Sequence, residues 1–191
     1  MSLPDFPAWQ KAERDARFSD PAACAARATN FERNIKWRNR AEYAAGILIT
    51  LVFGGASLGA AGRSEPIIAA GLATIIAGVW LALWNLHKRA SNQPRTFEEP
   101  CLVHLRHQYQ RQYEALRAVP LWYIGPMVPG VVLFYFGITQ GAAQTIGWAA
   151  ALKGALGPFL ISFGIFAVIA VANLNAARAL KRKIDDMENL A

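Results

Sequence analysis

One cysteine and two histidines, Cys101, His104 and His107, stand at steps of three in the stretch CLVHLRHQYQRQYEAL. Thiolate and imidazole bind zinc and haem iron, and residues three apart on a helix are neighbours. The spacing therefore poses a metal site. Helical geometry limits it: at about 100° per residue Cys101 stands about 120° from His107, so the three ligands do not converge easily. A structural zinc needs four ligands and a catalytic one usually three. No fourth is evident beyond His87, Glu98 or Glu99. The same steps place Leu102, Leu105, Tyr109, Tyr113 and Leu116 on one face, with His104, His107 and Arg111 roughly opposite. The stretch reads as an amphipathic helix. Cys101, His104 and His107 remain the metal candidates, and no cofactor is expected.

Other chemistry is sparse. The sequence holds no phosphate loop, HExxH, nucleophile elbow or CxxC. A non-enzymatic role is expected.

The elements that carry these residues are set by hydropathy. The chain has 191 residues, 54% of them hydrophobic, and a net charge of +7. Its apolar residues lie in blocks: Tyr43 to Ala61, Ile67 to Leu86, Leu121 to Ile138 and Ala155 to Ala172 contain no Asp, Glu, Lys, Arg or His. Each block is about 18–20 residues long, enough to cross a hydrocarbon core of about 30 Å. Four transmembrane helices follow. Ionisable side chains inside a span mark ion pathways and proton relays, and their absence argues against a pump, a proton-coupled transporter or a haem held between spans. No cleavable signal peptide is expected before the first block.

Lys and Arg gather in three places: before the first block, between the second and third, and in the tail. The two remaining loops carry Arg63 and Lys153, one each. Cytoplasmic flanks collect such residues, so both termini and the long connector are expected in the cytosol of a bacterial inner membrane. Membrane lipids with anionic head groups account for the basic charge, and nucleic acid is not required. Cys24 and Cys101 fall in the cytosolic segments, where thiols stay reduced, so no structural disulfide is expected.

The expected fold is all-α: a four-helix transmembrane bundle of two hairpins, N-in and C-in, with cytosolic helical extensions. Residues 1–42 form a cytosolic helical segment, 43–86 the first hairpin, and 87–120 a connector with the amphipathic helix. Residues 121–172 form the second hairpin and 173–191 a cytosolic C-terminal helix. Pro21 suits the start of a helix that runs into the first span, and PAWQKAERDARF reads as a short separate helix before it. Gly55 and Gly59 in the first span, and Ala70, Thr74, Gly78 and Ala82 in the second, are small residues at steps of four, suited to close helix packing. Trp80 and Trp84 approach the interface. Pro126 and Pro129 remove backbone donors, so the third span should kink or unwind at its start.

Each cytosolic segment carries an apolar edge: Phe31 and Ile35; Leu102, Leu105 and Tyr109; Leu180, Ile184 and Met187, continuing to Ala191. These edges either pack together or bind a partner.

Two stretches carry a resemblance. FERNIKWRNRAEYAAG, and RQYEALRAVPLWYIGPMVPGVVLF from Arg111 to Phe134, resemble segments of a widespread group of small bacterial inner-membrane proteins with RNxREY and RQxxAL…WYxxPxxPG patterns. This chain has Tyr113 and Glu114 where that group has a charged RD pair. Members of the group look often to be encoded beside extracytoplasmic-function sigma factors, which implies membrane-tethered signalling. The leading expectation is a membrane accessory or scaffold protein that binds another protein as a subunit of a larger complex. A homo-oligomer is also open, with Phe134, Tyr135 and Phe136 among its contacts in the bilayer. The alternative is a regulator that sequesters a sigma factor through its cytosolic helices, and a third is a small transporter or channel.

Overall fold

A computed structural model describes residues 21–91 and 101–188. The segment PAWQKAERDARF and Ala191 lie outside them. Among the described residues the chain is all-helical: α1 Pro21–Gly62, α2 Pro66–Ala90, α3 Cys101–Arg117, α4 Val128–Ile146 and α5 Trp148–Glu188. Four helical stretches are long and apolar enough to cross a membrane: Ala25–Gly62, Pro66–Ala90, Pro120–Ile146 and Trp148–Met187.

The breaks are few and each has a local cause. After Gly62, Ser64 adopts φ 59°, and the Glu65 N–H donates to the Ala60 carbonyl at 3.0 Å. Pro66 then opens α2 at a position where its missing N–H costs nothing. Gly147, at φ 81°, ends α4, and its N–H closes on the Ala143 carbonyl at 3.0 Å. Between α3 and α4, Pro120–Ile124 forms a π turn and Gly125–Met127 a 3-10 turn. Proline cannot donate, so regular α pairing is interrupted where Pro120, Pro126 and Pro129 fall. α5 has no break over 41 residues, although Pro158 lies inside it.

The spans form a row. α1 packs on α2, α2 on α4, and α4 on α5. At the α1–α2 contact the Ser57 hydroxyl donates to the Ala69 carbonyl at 2.9 Å, and Gly46 faces Leu83. α2 and α4 meet almost backbone to backbone. A Cβ on Gly71 would lie 2.5 Å from the Phe134 nitrogen, one on Gly130 2.5 Å from the Ile75 nitrogen, and one on Gly137 3.0 Å from the Ile68 nitrogen. Numbers rise on one helix as they fall on the other, so the pair is antiparallel. The glycines are seven apart on each helix, two turns, which returns them to the same face.

This corrects part of the small-residue reading. Gly78 and Ala82 are buried, but Ala70 is exposed and Gly71 takes the contact beside it. Thr74 is half-buried and returns its hydroxyl to the Ala70 carbonyl. Gly55 and Gly59 pack on no other helix among the described residues. Steps of four drift around a helix, whereas the true seam follows the two-turn repeat.

α3 closes the row at the end where Lys88, Arg89 and Arg111 gather, called the basic end here. It packs on α1, α2 and α5. There Leu105, Tyr109 and Leu116 of α3 are buried with Ala177, Leu180 and Ile184 of α5, and Phe31 of α1 packs against them. Phe31 and Tyr109 meet edge to face at 4.6 Å between centroids. Ile35 is buried as well. Burial pushes the Tyr109 phenol above its ordinary pKa, and the Arg27 charge opposes the shift.

Candidate functional site at the basic end of the bundle

The last carbonyls of a helix lack partners within it. Those of α2 are met by side chains from two other helices. Arg111 donates from Nη2 to the Lys88 carbonyl at 2.7 Å and from Nε to the Arg89 carbonyl at 3.2 Å. Its cation also suits the negative end of the helix dipole. Gln112 Nε2 donates to the Ala90 carbonyl at 2.9 Å, and Asn39 Nδ2 reaches the same oxygen at 3.3 Å. Gln112 is 1% exposed, and its Oε1 accepts from Arg38 Nη2 at 3.1 Å. One buried glutamine thus ties α1, α2 and α3 together.

Beside this junction lies a cavity of about 280 Å³. α1 contributes Arg38 and Glu42, and α2 contributes Leu86 and Ala90. The α3–α4 junction contributes Val119, Trp122 and Tyr123, and α5 contributes Ile169, Ala172 and Asn173. The Tyr123 hydroxyl donates to Glu42 Oε2. The Trp122 indole donates to the Ala115 carbonyl at 2.9 Å, bracing the π turn against α3. Among the described residues Arg38 Nε is buried without a hydrogen-bond partner.

A second cleft, of about 290 Å³, lies further along the same row. Its walls are Ile49 and Phe53 of α1 and Ser162, Ile165 and Phe166 of α5, and its floor includes Val79 of α2 and Val131 of α4. The lining is apolar apart from the hydroxyls of Tyr135 and Ser162, which bond each other at 2.9 Å. Its α5 residues stand seven positions, two turns, before those of the first cavity.

The opening triad does not assemble. His104 is buried, with Nε2 3.4 Å from Glu32 Oε1 of α1, and His107 is exposed. Cys101 is disulfide-bonded, so the expectation of reduced thiols is not met in this structure. The only other cysteine of the sequence is Cys24. The reason is the docking of α1 beside α3, which sequence spacing does not disclose. Among the described residues no group of three or more His, Cys, Asp or Glu side chains is placed to hold a metal.

The residues singled out for partner binding are placed inside the chain. Ile35, Leu105, Tyr109, Leu180 and Ile184 are buried, and Phe31 and Met187 pack against their cluster. The side chain of Leu102 lies outside the described part. Of the aromatic trio, Phe134 and Tyr135 are half-buried and Phe136 is exposed. The sequence places Arg38 at the head groups and Glu42 at the edge of the first block, but it marks neither of them, nor Gln112, Tyr123 or Asn173, as a site residue. One signal was available: Arg38 and Glu42 are one turn apart, at the edge of an apolar block.

Comparison of the chain with protein-family models, with curated proteins and with solved structures finds no match.

Proposed function

We propose a non-enzymatic, multi-pass inner-membrane protein that binds another protein as a subunit of a membrane complex, with two membrane hairpins and its basic end in the cytosol. The supporting observation is backbone left open on the outer helices. In the most apolar stretch of each span, 11% of α1 and 0% of α5 is buried, against 39% of α2. On the open face of α1, Gly55 shares a stripe with Leu48, Leu51 and Val52, all exposed. On α5, Gly154, Gly157 and Gly164 share one with Ile161 and Val168. A Cβ at any of these four glycines would meet nothing within 4 Å. Lipid gains nothing from a missing side chain, whereas a second helix gains close approach. The sigma-factor alternative needs an apolar edge free in the cytosol, and the described residues of the edges nominated for it pack inside the chain.

The test is site-specific photo-cross-linking from positions 51 and 161 in the membrane, with products identified by mass spectrometry. The expected product is one discrete protein adduct at both positions. Cross-linking to lipid alone would remove this reading.

A further inference from the structure

The two cavities lie end to end in the trough between α1 and α5. On α1 the lining runs from Phe53 and Ile49 to Glu42 and Arg38, and on α5 from Ser162 to Asn173. At 1.5 Å per residue the trough is about 16 Å long on α5 and about 22 Å on α1. Half of a bilayer core is about 15 Å, and half of a bilayer with its head groups about 20–22 Å. The trough therefore has the length of one leaflet.

Its chemistry is graded in the same direction. The deep part is apolar, lined by Ile49, Phe53, Val131, Ile165 and Phe166. The end near α3 carries one guanidinium, Arg38, and one carboxylate, Glu42. The two residues are an i, i+4 pair, so they share a face of α1. No ion-pair contact joins them among the described residues. Arg38 lines the cavity, with its Nη2 held by Gln112 and its Nε closed off by the surrounding protein. Glu42 takes the Tyr123 hydroxyl on Oε2. Its Oε1 takes no hydrogen bond among the described residues.

A lipid phosphate would meet the positive charge that Arg38 brings to the cavity wall. A lipid with only a phosphate would also bring negative charge against Glu42. A head group with a phosphate and, two carbons away, a primary ammonium matches both charges. We propose that this trough is a binding site for one zwitterionic phospholipid of the phosphoethanolamine class, with its acyl chain between α1 and α5, its phosphate on Arg38 and its ammonium on Glu42. This goes beyond the subunit reading and uses a different face: the outward stripes of α1 and α5 take the protein, and the trough between them takes the lipid.

The test uses the full-length protein in nanodiscs of equal parts phosphatidylethanolamine, phosphatidylcholine and phosphatidylglycerol, then detergent exchange and mass spectrometry of the lipid retained. Wild type is expected to retain phosphatidylethanolamine about tenfold over the other two, the scale of one charge-assisted hydrogen bond. Phosphatidylcholine shares the phosphate but cannot donate from its quaternary ammonium. Arg38→Gln should abolish the retention. Glu42→Gln, which keeps an acceptor for Tyr123, should shift it toward phosphatidylglycerol. If Arg38→Gln does not fold, by its melting transition, the Glu42→Gln shift alone decides. Equal retention of all three lipids, or a preference that Glu42→Gln leaves unchanged, would overturn the proposal. So would a protein adduct from a photo-cross-linker at Ser162, which would place a helix in the trough.

Discussion

Gly78 faces the backbone of Pro126: a Cβ added to Gly78 would lie 2.5 Å from the Pro126 carbonyl oxygen and 3.0 Å from the Met127 nitrogen. The obstacle is backbone, which cannot swing aside as a side chain can. The 3-10 turn at Gly125–Met127 is thus clamped on α2, and α2–α4 spacing is set at glycine width.

Gly78→Val or Gly130→Val should therefore destabilise the chain, because each pushes two backbones apart. Overpacking of this kind costs about 1–3 kcal/mol. Gly55→Val meets nothing within 4 Å and should leave the melting temperature in detergent unchanged. Equal melting of all three variants would remove the glycine seam as a determinant of the fold.

Gln112 is the second target. Gln112→Leu keeps the bulk but strips one partner from the Ala90 carbonyl and the acceptor from Arg38. Buried groups left unmet cost about 1–3 kcal/mol each. Gln112→Glu keeps the acceptor for Arg38 but loses the donor to Ala90, so it should be milder. Amide exchange at the C-terminal turn of α2 is the readout, fastest in the leucine variant.

The cluster at the tip gives a third. Ile184 is 6% exposed between α3 and α5. Ile184→Asp places a carboxylate there without a partner, so α3 and the end of α5 should lose exchange protection together. The spans should keep theirs. Full protection in the variant would mean that the cluster does not hold the helices.

Orientation and the cysteine can be read in one experiment. With the basic end in the cytosol, a reporter in the Arg63 turn should read outside and one at the C-terminus inside. Cytosolic thiols are kept reduced. Alkylation of intact cells before lysis should then label Cys101, whereas protein purified in air should resist labelling until a reductant is added. An unlabelled Cys101 in quenched cells would put the basic end in an oxidising compartment.

Tyr109 supplies a pH dependence. Its folded pKa lies above its unfolded value, so the folded chain holds the phenolic proton longer. Stability from this group is intact below the ordinary tyrosine range and falls as pH rises through the folded pKa. Tyr109→Phe should flatten that alkaline loss in a pH series of melting curves.

The spans were legible because composition alone decides them: a run such as IIAAGLATIIAGVW has no other solvent to live in. The continuity of α1 and α5 was also legible, since nothing in FERNIKWRNRAEY or ANLNAARAL interrupts a helix. Pairings were harder. Ala70 and Gly71 are adjacent and both small, and which of them faces α4 depends on a partner helix some sixty positions away. The same holds for Gln112, which reads as a surface residue of an amphipathic helix until the end of α2 is placed against it. His104 and Cys101 were misjudged for the same reason, because the α1 surface that meets α3 is distant in sequence.

The 41-residue span of α5 has a mechanical consequence. Its apolar part and its polar end are one rod, and no joint falls between Ala172 and Glu188, about 24 Å at the helical rise. Spans tilt when the bilayer thins or thickens. A tilt of about 10° in the membrane would sweep the tip about 4 Å sideways by that lever arm. Leu180 and Ile184 would slide against α3 by nearly the width of a side chain, so bilayer thickness enters the packing at a site well outside the hydrocarbon.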